Sequence, residues 1–177
     1  MADRIQTASR GGALTALALA AIAAATAIVK PSEGEVLHTY PDVVLGWAKT
    51  TACDGHTDPS LRPGMTFTVA ECDDMLHADL RKTYDAEAAC MPFERLNSNQ
   101  AGAFLDLGFN IGAGAVCRSS IPGKVKAGQI AAACATIAEF DGVKKAGVML
   151  DCHDPGNHCA GIITRRTKEV ALCDRQP

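Results

Sequence analysis

The sequence predicts an α+β protein in which a small β-ribbon lobe and a larger helical lobe enclose a cleft, preceded by an apolar N-terminal segment. Short runs rich in β-forming residues are confined to residues 36–57, and patterns of helical period follow from residue 69 onward. Residues 11–29 contain no charged side chain. At 177 residues the chain is long enough for one domain with its own core.

The apolar segment, residues 11–29, reads GGALTALALAAIAAATAIV and follows Arg4 and Arg10. It is close to the length of about 20 residues that spans a bilayer, and the arginines favour a cytoplasmic N-terminus. Because nine of its residues are alanine, we expect it to be recognised for export but held in lipid only weakly. We predict an uncleaved signal-anchor over residues 1–30 and a domain over residues 31–177 that faces the periplasm. The alternatives are a cleaved signal peptide and a helix that is amphipathic or buried.

The first lobe is expected to contain short strands. Pro31 should end the apolar helix, because proline does not continue a helix easily. The runs VLHTY, VVLGW and TTAC, all within residues 36–57, have the composition of strands. Residues 58–66 contain proline and glycine and are typical of a loop. We predict a β-ribbon here and no strands elsewhere.

The second lobe is expected to be helical. Thr68 and Glu71 have the spacing of a capping box and predict a helix from about residue 69 to 88. Three more helices are predicted, one begun by Ser98-Asn99 and two over residues 128–140 and 163–173. The last is expected to expose Arg165 and Arg166 on a charged face. The predicted core residues are Phe104, Leu107, Phe109, Ile130 and Ile137.

The charge and cysteine patterns restrict the function classes. The net charge is −3, and no stripe of lysine and arginine is present that could neutralise a phosphate backbone. We therefore expect no nucleic-acid partner, and we expect a monomer. All eight cysteines lie beyond residue 50. Such a set in a small chain indicates a disulfide framework formed in an oxidising compartment, the alternative being reduced thiols in a cytosolic protein.

Two acidic residues follow the apolar segment directly. Glu33 and Asp42 are separated by eight residues, a reach that allows a carboxyl group at the end of one element to face a carboxylate on a neighbouring hairpin. Cleavage of a glycosidic bond needs such a pair, one group protonated to donate to the leaving oxygen and the other ionised. Acidic residues are also common in surface loops, so the spacing alone decides little.

The motifs around these residues resemble a known family. Glu33-Gly34, Tyr40-Pro41-Asp42 and the run TTACDGHT over residues 50–57 are similar to the catalytic region of phage-type lysozymes, glycoside hydrolase family 24. The apolar segment makes the chain similar to that family's signal-arrest-release endolysins of the lambdoid-phage kind. FNIGAGAVCRSS and GIITRRTKEVALC, later in the chain, resemble two further segments of the family.

The resemblance implies a lysozyme-like fold and a muramidase that causes host cell lysis. Glu33 would be the general acid, and Asp42 with Thr51 would orient the water that attacks the sugar carbon. The bond between N-acetylmuramic acid and N-acetylglucosamine of peptidoglycan would be cut with inversion and without a cofactor.

The chain departs from the family pattern after Asp42. The usual spacer would end at Ala48, which has no hydroxyl, so LGWAK carries what looks like a three-residue insertion. Alignment on the following Cys-Asp-Gly-His selects Thr51, with Thr50 as the alternative. Glu35 is a rival to Glu33 but breaks the spacing.

Several other residues have competing interpretations. His56 is expected to hydrogen-bond within the ribbon turn or to line the cleft, the alternative being a base, and Asn110 to bind either substrate or a nearby turn. The insertion DCHDPGNHC at residues 151–159 has residue types suited to zinc, but in an oxidising compartment its cysteines are expected to pair. The pairs we predict are Cys53–Cys72, Cys90–Cys173, Cys117–Cys134 and Cys152–Cys159.

The short distance along the chain between the apolar segment and Glu33 suggests control of activity. We expect the enzyme to be tethered inactive to the periplasmic face of the host inner membrane through residues 11–29. It would become active in the periplasm once the segment leaves the bilayer. No cysteine lies in residues 1–30, so Glu33 would be repositioned by refolding of the segment and not by disulfide exchange. The alternative function is a secreted, disulfide-rich binding or inhibitor module without catalysis.

Overall fold

The computed structural model describes residues 15–34, 36–42, 46–145 and 147–176. Within them the predicted α+β architecture is confirmed, with a small antiparallel sheet beside a larger helical lobe. The helices are α1 (Ala16–Glu33), α2 (Val69–Glu87), α3 (Ser98–Ile111), α4 (Ala113–Arg118), α5 (Ile121–Lys126), α6 (Ile130–Thr136) and α7 (Ala160–Cys173). The strands are β1 (Tyr40–Asp42), β2 (Gly46–Ala52), β3 (His56–Thr57), β4 (Gly142–Lys145) and β5 (Val148–Asp151). Short 3-10 turns lie at Phe93–Arg95, Ile137–Glu139 and Pro155–Asn157.

Helix α1 contains most of the apolar segment and packs into the protein core. The Thr15 hydroxyl caps its first turn by accepting from the Ala18 N–H, and Ala21, Ala25 and Val29 are fully buried. The helix packs closely on α3, since a Cβ atom added to Gly102 would lie 2.6 Å from the Cβ of Ala24. Small side chains on both helices therefore permit this close contact. Among the described helices, none combines the length and the apolar character needed to cross a membrane.

The end of α1 differs from the prediction. Pro31 lies inside the helix, which continues to Glu33, so the predicted helix end at Pro31 is wrong. Residue 30, where the signal-anchor was predicted to end, also lies within the helix. A proline in the last turn removes one backbone donor. The Ser32 hydroxyl donates to the Ile28 carbonyl, and the Gly34 N–H donates to the Lys30 carbonyl, which stabilises the turn.

The first sheet has the order β1-β2-β3 and contains an irregularity at the predicted insertion. Tyr40 pairs with Thr51 and Pro41 with Thr50, but Asp42 pairs with Gly46. Pro41 and Asp42 are consecutive in β1, but their partners Thr50 and Gly46 are separated in β2 by three residues, Trp47, Ala48 and Lys49. The sheet absorbs additional residues at a bulge, which keeps Thr51 in register with its neighbours.

The main core forms where α1, α2, α3, α6 and α7 meet. Of the predicted core residues, Phe104, Leu107 and Ile137 are fully buried, and Phe109 and Ile130 are partly buried against the same cluster. The predicted capping box of Thr68 and Glu71 is present at α2. Helix α3 begins with an equivalent box made by Asn97 and Gln100, so its capping residue precedes the expected Ser98-Asn99.

A second hairpin, β4–β5, contradicts the expectation that strands are confined to residues 36–57. Most of its side chains are half-buried or exposed. Because neither face is buried in a core, the sequence lacks the strict alternation by which strands are recognised.

Four disulfides include every cysteine of the chain. The predicted pairs Cys53–Cys72 and Cys152–Cys159 are confirmed. The other two are wrong, because Cys90 is bonded to Cys117 and Cys134 to Cys173. The observed bonds join the end of α2 to α4 and α6 to α7, pairs of neighbours in space. Since Cys152 and Cys159 share a disulfide, their sulfurs are not the thiolate ligands that zinc requires.

Candidate active site

A cleft of 650 Å³ lies between the first sheet and the helical lobe. Charged and polar side chains dominate its walls, which suits a polar substrate. Its lining residues are Asp42, Lys49, Asp54, Gly55, Thr57, Asp79, Lys82, Thr83, Ala86, Phe109, Asn110 and Ala113.

Asp42 is the last residue of β1 and lines this cleft. Its side chain is 24% exposed, and the Lys49 Nζ lies 3.8 Å from its Oδ2. A neighbouring ammonium group favours the ionised form of a carboxyl. Asp42 is therefore arranged as a carboxylate that water and substrate can reach.

Thr51 lies in the central strand, opposite Tyr40 on one side and Thr57 on the other. Directly opposite residues of an antiparallel pair share a face of the sheet, and Thr57 lines the cleft. Thr51 is 6% exposed, and its Oγ1 has no hydrogen-bond partner within the described part of the chain. Thr50, one residue earlier, projects to the opposite face by the alternation of a strand. The register therefore puts Thr51, and not Thr50, on the face of the sheet that carries Thr57.

Glu33 is the last residue of α1, but its side chain and the whole of Glu35 lie outside the described residues. The neighbouring Pro31 and Ser32 border a depression that Asn110 shares with the cleft. Lys30, in the last turn, forms an ion pair with Asp73 of α2. Helix α1 therefore ends beside α2 and close to Asn110, which lines the cleft.

The turn between β2 and β3 contributes two further polar groups. Asp54 is 2% exposed and lines the cleft. His56 Nδ1 lies 2.7 Å from Asp79 Oδ2, which ties β3 to α2. The partner is on a helix, whereas the hydrogen bond of His56 was expected within the ribbon turn. Neither Asp54 nor Asp79 was predicted as a site residue. For Asp54 a signal was available, because it stands inside the Cys-Asp-Gly-His motif.

Asn110 is held by a buried ionic network. Arg166 donates to the Asn110 side-chain oxygen and to both carboxylate oxygens of Glu169, at 2.9 and 2.6 Å. Arg165 donates to the two oxygens of Asp106, at 2.8 and 3.1 Å. Both arginines are at most 4% exposed, so their assignment to a solvent-facing surface is wrong. The reason is that α3 supplies their acceptors, Asp106 and Asn110.

Burial shifts the pKa of two carboxyl groups near the cleft. Burial, with the neighbouring Asp106, raises the pKa of Glu169 to about 9, and the two arginines oppose this shift. Glu87 is fully buried at the end of α2, and neither of its carboxyl oxygens has a partner among the described residues. A Cβ atom added to Gly108 of α3 would lie 1.9 Å from Glu87 Oε1. Burial raises the pKa of Glu87 well above its usual value.

A small group of possible metal ligands lies at the base of the second hairpin. Side-chain atoms of Asp141, Asp151 and His153 come within 4.8 Å of one another. These side chains are largely exposed, and an exposed acidic group of this kind is common without an ion. We assign it no function.

Comparisons with known proteins agree with the fold and the cleft. The family model described as phage lysozyme matches residues 30–169. The SAR-endolysin of Enterobacteria phage P21 is 29% identical over 143 residues, which cover 80% of this chain and 76% of the relative. The SAR-endolysin of Bacteriophage PS119 is 28% identical over 172 residues, 93% of each chain.

Among solved structures, the muramidase domain of SpmX from Asticaccaulis excentricus has a TM-score of 0.71 and 24% identity, and covers 86% of this chain and 96% of that domain. At this identity the likeness concerns the fold alone. The family match extends from the end of α1 to the last helix and includes the whole cleft. The chain therefore belongs to the phage lysozyme family, glycoside hydrolase family 24, and is a muramidase that hydrolyses peptidoglycan.

Proposed function

We propose that Glu33 is the general acid of this muramidase and that Asp42, with Thr51, orients the attacking water. The bond cut is that between N-acetylmuramic acid and N-acetylglucosamine, with inversion at the sugar carbon. One observation carries the proposal: Asp42 lines the cleft, and Thr51, in the strand paired with that of Asp42, has a buried hydroxyl with no partner in the described chain. Membership of a hydrolase family decides against a non-catalytic binding or inhibitor module.

Each group has a distinct task. An inverting glycosidase needs a protonated carboxyl on one side of the bond and a carboxylate on the other, with room for water between them. Asp42 beside Lys49 suits the second task, because the ammonium group favours the carboxylate that accepts a proton from water. The Thr51 hydroxyl can hold the same water by one hydrogen bond. Glu33, at the end of α1 across the cleft, would donate a proton to the leaving oxygen.

The test is the change Glu33→Gln, with Glu35→Gln as the matched control. Glutamine keeps the shape of the side chain but donates no proton, so we expect hydrolysis of purified cell walls to fall by about 10²–10⁴-fold. Glu35→Gln should leave the rate near the wild-type value. If Glu33→Gln kept full lytic activity, or if Glu35→Gln abolished it, the assignment of the acid would be wrong.

We also propose that the chain is a signal-arrest-release endolysin that causes host cell lysis. Residues 1–30 would form the signal-anchor and residues 31–177 the catalytic domain. Residues 11–29 would tether the chain to the periplasmic face of the host inner membrane before its release to the periplasm. Three observations support this proposal: the uncharged segment preceded by Arg4 and Arg10, the two relatives described as SAR-endolysins, and a cysteine set that is fully paired in disulfides.

The packing of α1 supplies the reason for inactivity before release. Ala21, Ala25 and Val29 are fully buried against the rest of the core, so these side chains cannot lie in lipid at the same time. While the segment is in the bilayer, the domain lacks a core helix, and Glu33 at the end of that helix lacks its position beside the cleft. Release allows α1 to pack on α3, which brings the acid into place.

A further inference from the structure

A second depression, here called the outer pocket, lies on the outer side of the first sheet. It has a volume of 520 Å³ and is bordered by β2 and by the loop that follows β3. The residues that matter for its chemistry are Trp47, Lys49, Thr50, Asp58 and Arg62. None of them is Glu33, Asp42 or Thr51, although Lys49 also lies beside Asp42.

The outer pocket is built by the irregular part of β2. Trp47, Ala48 and Lys49 are the residues that the shifted register leaves opposite one step of β1, and all three line the pocket. β3 pairs with Thr51 and Ala52, so the loop after it faces the earlier half of β2. The residues of the insertion therefore form part of the lining of the outer pocket.

Trp47 is the chain's only tryptophan, and it is 51% exposed. Tryptophan is highly buried on average, so an exposed indole beside a pocket indicates a binding surface more than an ordinary surface residue. The flat apolar face of an indole fits the C–H face of a pyranose ring, and its N–H can donate to a hydroxyl group.

Polar groups complete the outer pocket in a fixed arrangement. The Arg62 Nη1 donates to the carbonyls of Pro59 and Leu61, at 2.6 and 2.9 Å. The Thr39 hydroxyl donates to the Arg62 carbonyl at 3.0 Å, which ties the loop to the sheet lobe. Hydrogen bonds from Ser60 lower the pKa of Asp58. Asp58 is therefore a carboxylate, which can accept hydrogen bonds from sugar hydroxyls.

The outer pocket adjoins the catalytic cleft at two shared residues. Lys49 and Thr57 line both depressions. A glycan strand lying in the cleft is a linear polymer and has to leave it in one direction or the other. The edge of the sheet at Lys49 and Thr57 offers a path from the cleft to the indole of Trp47.

We propose that the outer pocket binds a saccharide unit of the peptidoglycan glycan strand beyond the bond that is cut, with the sugar ring stacked on Trp47 and hydroxyl groups bound by Asp58 and Thr50. The proposal rests on the cleft being the catalytic site, but not on which residues carry out the reaction. Binding in the outer pocket would increase the affinity of the enzyme for long glycan strands. A short oligosaccharide confined to the cleft would not reach the outer pocket.

The test compares full-length wild type with Trp47→Ala, Trp47→Phe and Met149→Ala. Met149→Ala is the control, since Met149 is 67% exposed and outside both depressions. On glycan strands from which the stem peptides have been removed, Trp47→Ala should raise KM about three- to tenfold with kcat unchanged, the scale of one aromatic contact. Trp47→Phe should restore most of the affinity, and Met149→Ala should match the wild type.

Three outcomes would overturn the proposal. The first is an unchanged KM for Trp47→Ala. The second is a loss of kcat that Trp47→Phe does not restore, which would indicate a structural role. The third is an effect seen only on walls with stem peptides, which would make the peptide the occupant. An inactive Glu35→Gln variant would contradict the assignment of Glu33 as the general acid. The KM comparisons would remain valid in that case, because the Trp47 variants keep both glutamates.

A direct measurement uses the single tryptophan. When the wild-type chain is mixed rapidly with soluble peptide-free glycan strands, a stacked sugar should shift the emission of Trp47 to shorter wavelength before hydrolysis proceeds. The shift should saturate at the same strand concentration as the initial rate. Unchanged emission at strand concentrations that saturate the rate would show that the indole is not contacted.

Discussion

At the scale of single residues, the two threonines of β2 show how one position decides a role. Thr50 and Thr51 are chemically identical, and the insertion after Asp42 left the choice between them open in the sequence. The register puts Thr51 on the same face of the sheet as Tyr40 and Thr57. The Thr51 hydroxyl is buried and makes no hydrogen bond within the described chain. A buried hydroxyl without a partner lowers the stability of the fold, so its presence is not explained by folding alone.

Thr51→Val tests this residue with little change in shape. Because the Oγ1 makes no hydrogen bond in the described chain, its removal should leave the thermal midpoint of unfolding near the wild-type value or raise it slightly. The rate of cell-wall hydrolysis should fall on the order of 10²-fold, as on loss of one positioned hydrogen-bonding group. Thr50→Val is the matched control: it removes a hydroxyl group of the outer pocket, so it can raise KM but should leave kcat at the wild-type value. Equal kcat values for the two variants would remove Thr51 from the mechanism.

Other residues of the cleft could not be predicted, for a physical reason. Asp42 and Thr51 could be proposed as site residues because their motif is local in sequence. The contact of His56 with Asp79 and that of Arg165 with Asp106 join residues far apart in the chain. Helical spacing put Arg165 on a charged face. Only the packing of α7 on α3 shows that this face is buried and paired with an acid.

At the scale of elements, predictions held where one local signal sufficed. The capping box of Thr68 and Glu71 predicted the start of α2 correctly. The hairpin β4–β5 was missed because its exposed faces leave no alternation, and two disulfides were mispaired because the partners of Cys90 and Cys134 depend on how helices pack. The burial of Glu87 likewise depends on how helices pack, because its side chain lies between α2 and α3.

Glu87 should make the stability of the α2–α3 contact depend on pH. Its pKa in the folded state is raised by burial, so the folded protein keeps a proton that the unfolded chain loses above about pH 4.5. Stability from this group is therefore complete at low pH and declines as pH rises towards the folded pKa, by about 1.4 kcal/mol per pH unit. Glu87→Gln, neutral in both states, does not have this decline.

Urea unfolding between pH 4 and pH 8, with the disulfides intact, measures the effect. We expect Glu87→Gln and wild type to be similar near pH 4 and the variant to be increasingly more stable towards pH 8. Glu94→Gln makes the same chemical change on an exposed side chain and serves as the control. A difference between Glu87→Gln and wild type that stayed constant with pH would contradict a buried, protonated Glu87.

At the scale of the whole molecule, the N-terminal segment has to satisfy two environments. In the proposed function its alanines would make it a weak membrane anchor, and in the folded domain small side chains let α1 approach α3 closely at Gly102. The sequence predicted the first property from composition. Its place in the core could not be derived in the same way, because close packing depends on a glycine of α3 far along the chain.

The two faces of α1 allow its membrane role to be tested separately from its role in the core. Ala20, Ala23 and Ala27 are exposed in the folded enzyme, whereas Ala21 and Ala25 are buried. Replacing the exposed three with leucine leaves the core face unchanged. Each leucine favours the bilayer by about 0.3–0.6 kcal/mol, so together they should shift the balance towards the tethered form by roughly tenfold.

We expect this triple leucine variant to stay longer in the membrane fraction and to delay host lysis, while its purified soluble form hydrolyses cell walls at the wild-type rate. The matched control replaces the same three alanines with serine, which disfavours the bilayer and should bring lysis forward. Both variants would be followed by membrane fractionation and by the optical density of the culture after induction. If both variants lysed cells at the wild-type time, departure of the segment from the bilayer would not be the event that controls the enzyme. A delay accompanied by loss of activity in the purified leucine variant would instead mean that the exposed face of α1 contributes to the folded enzyme.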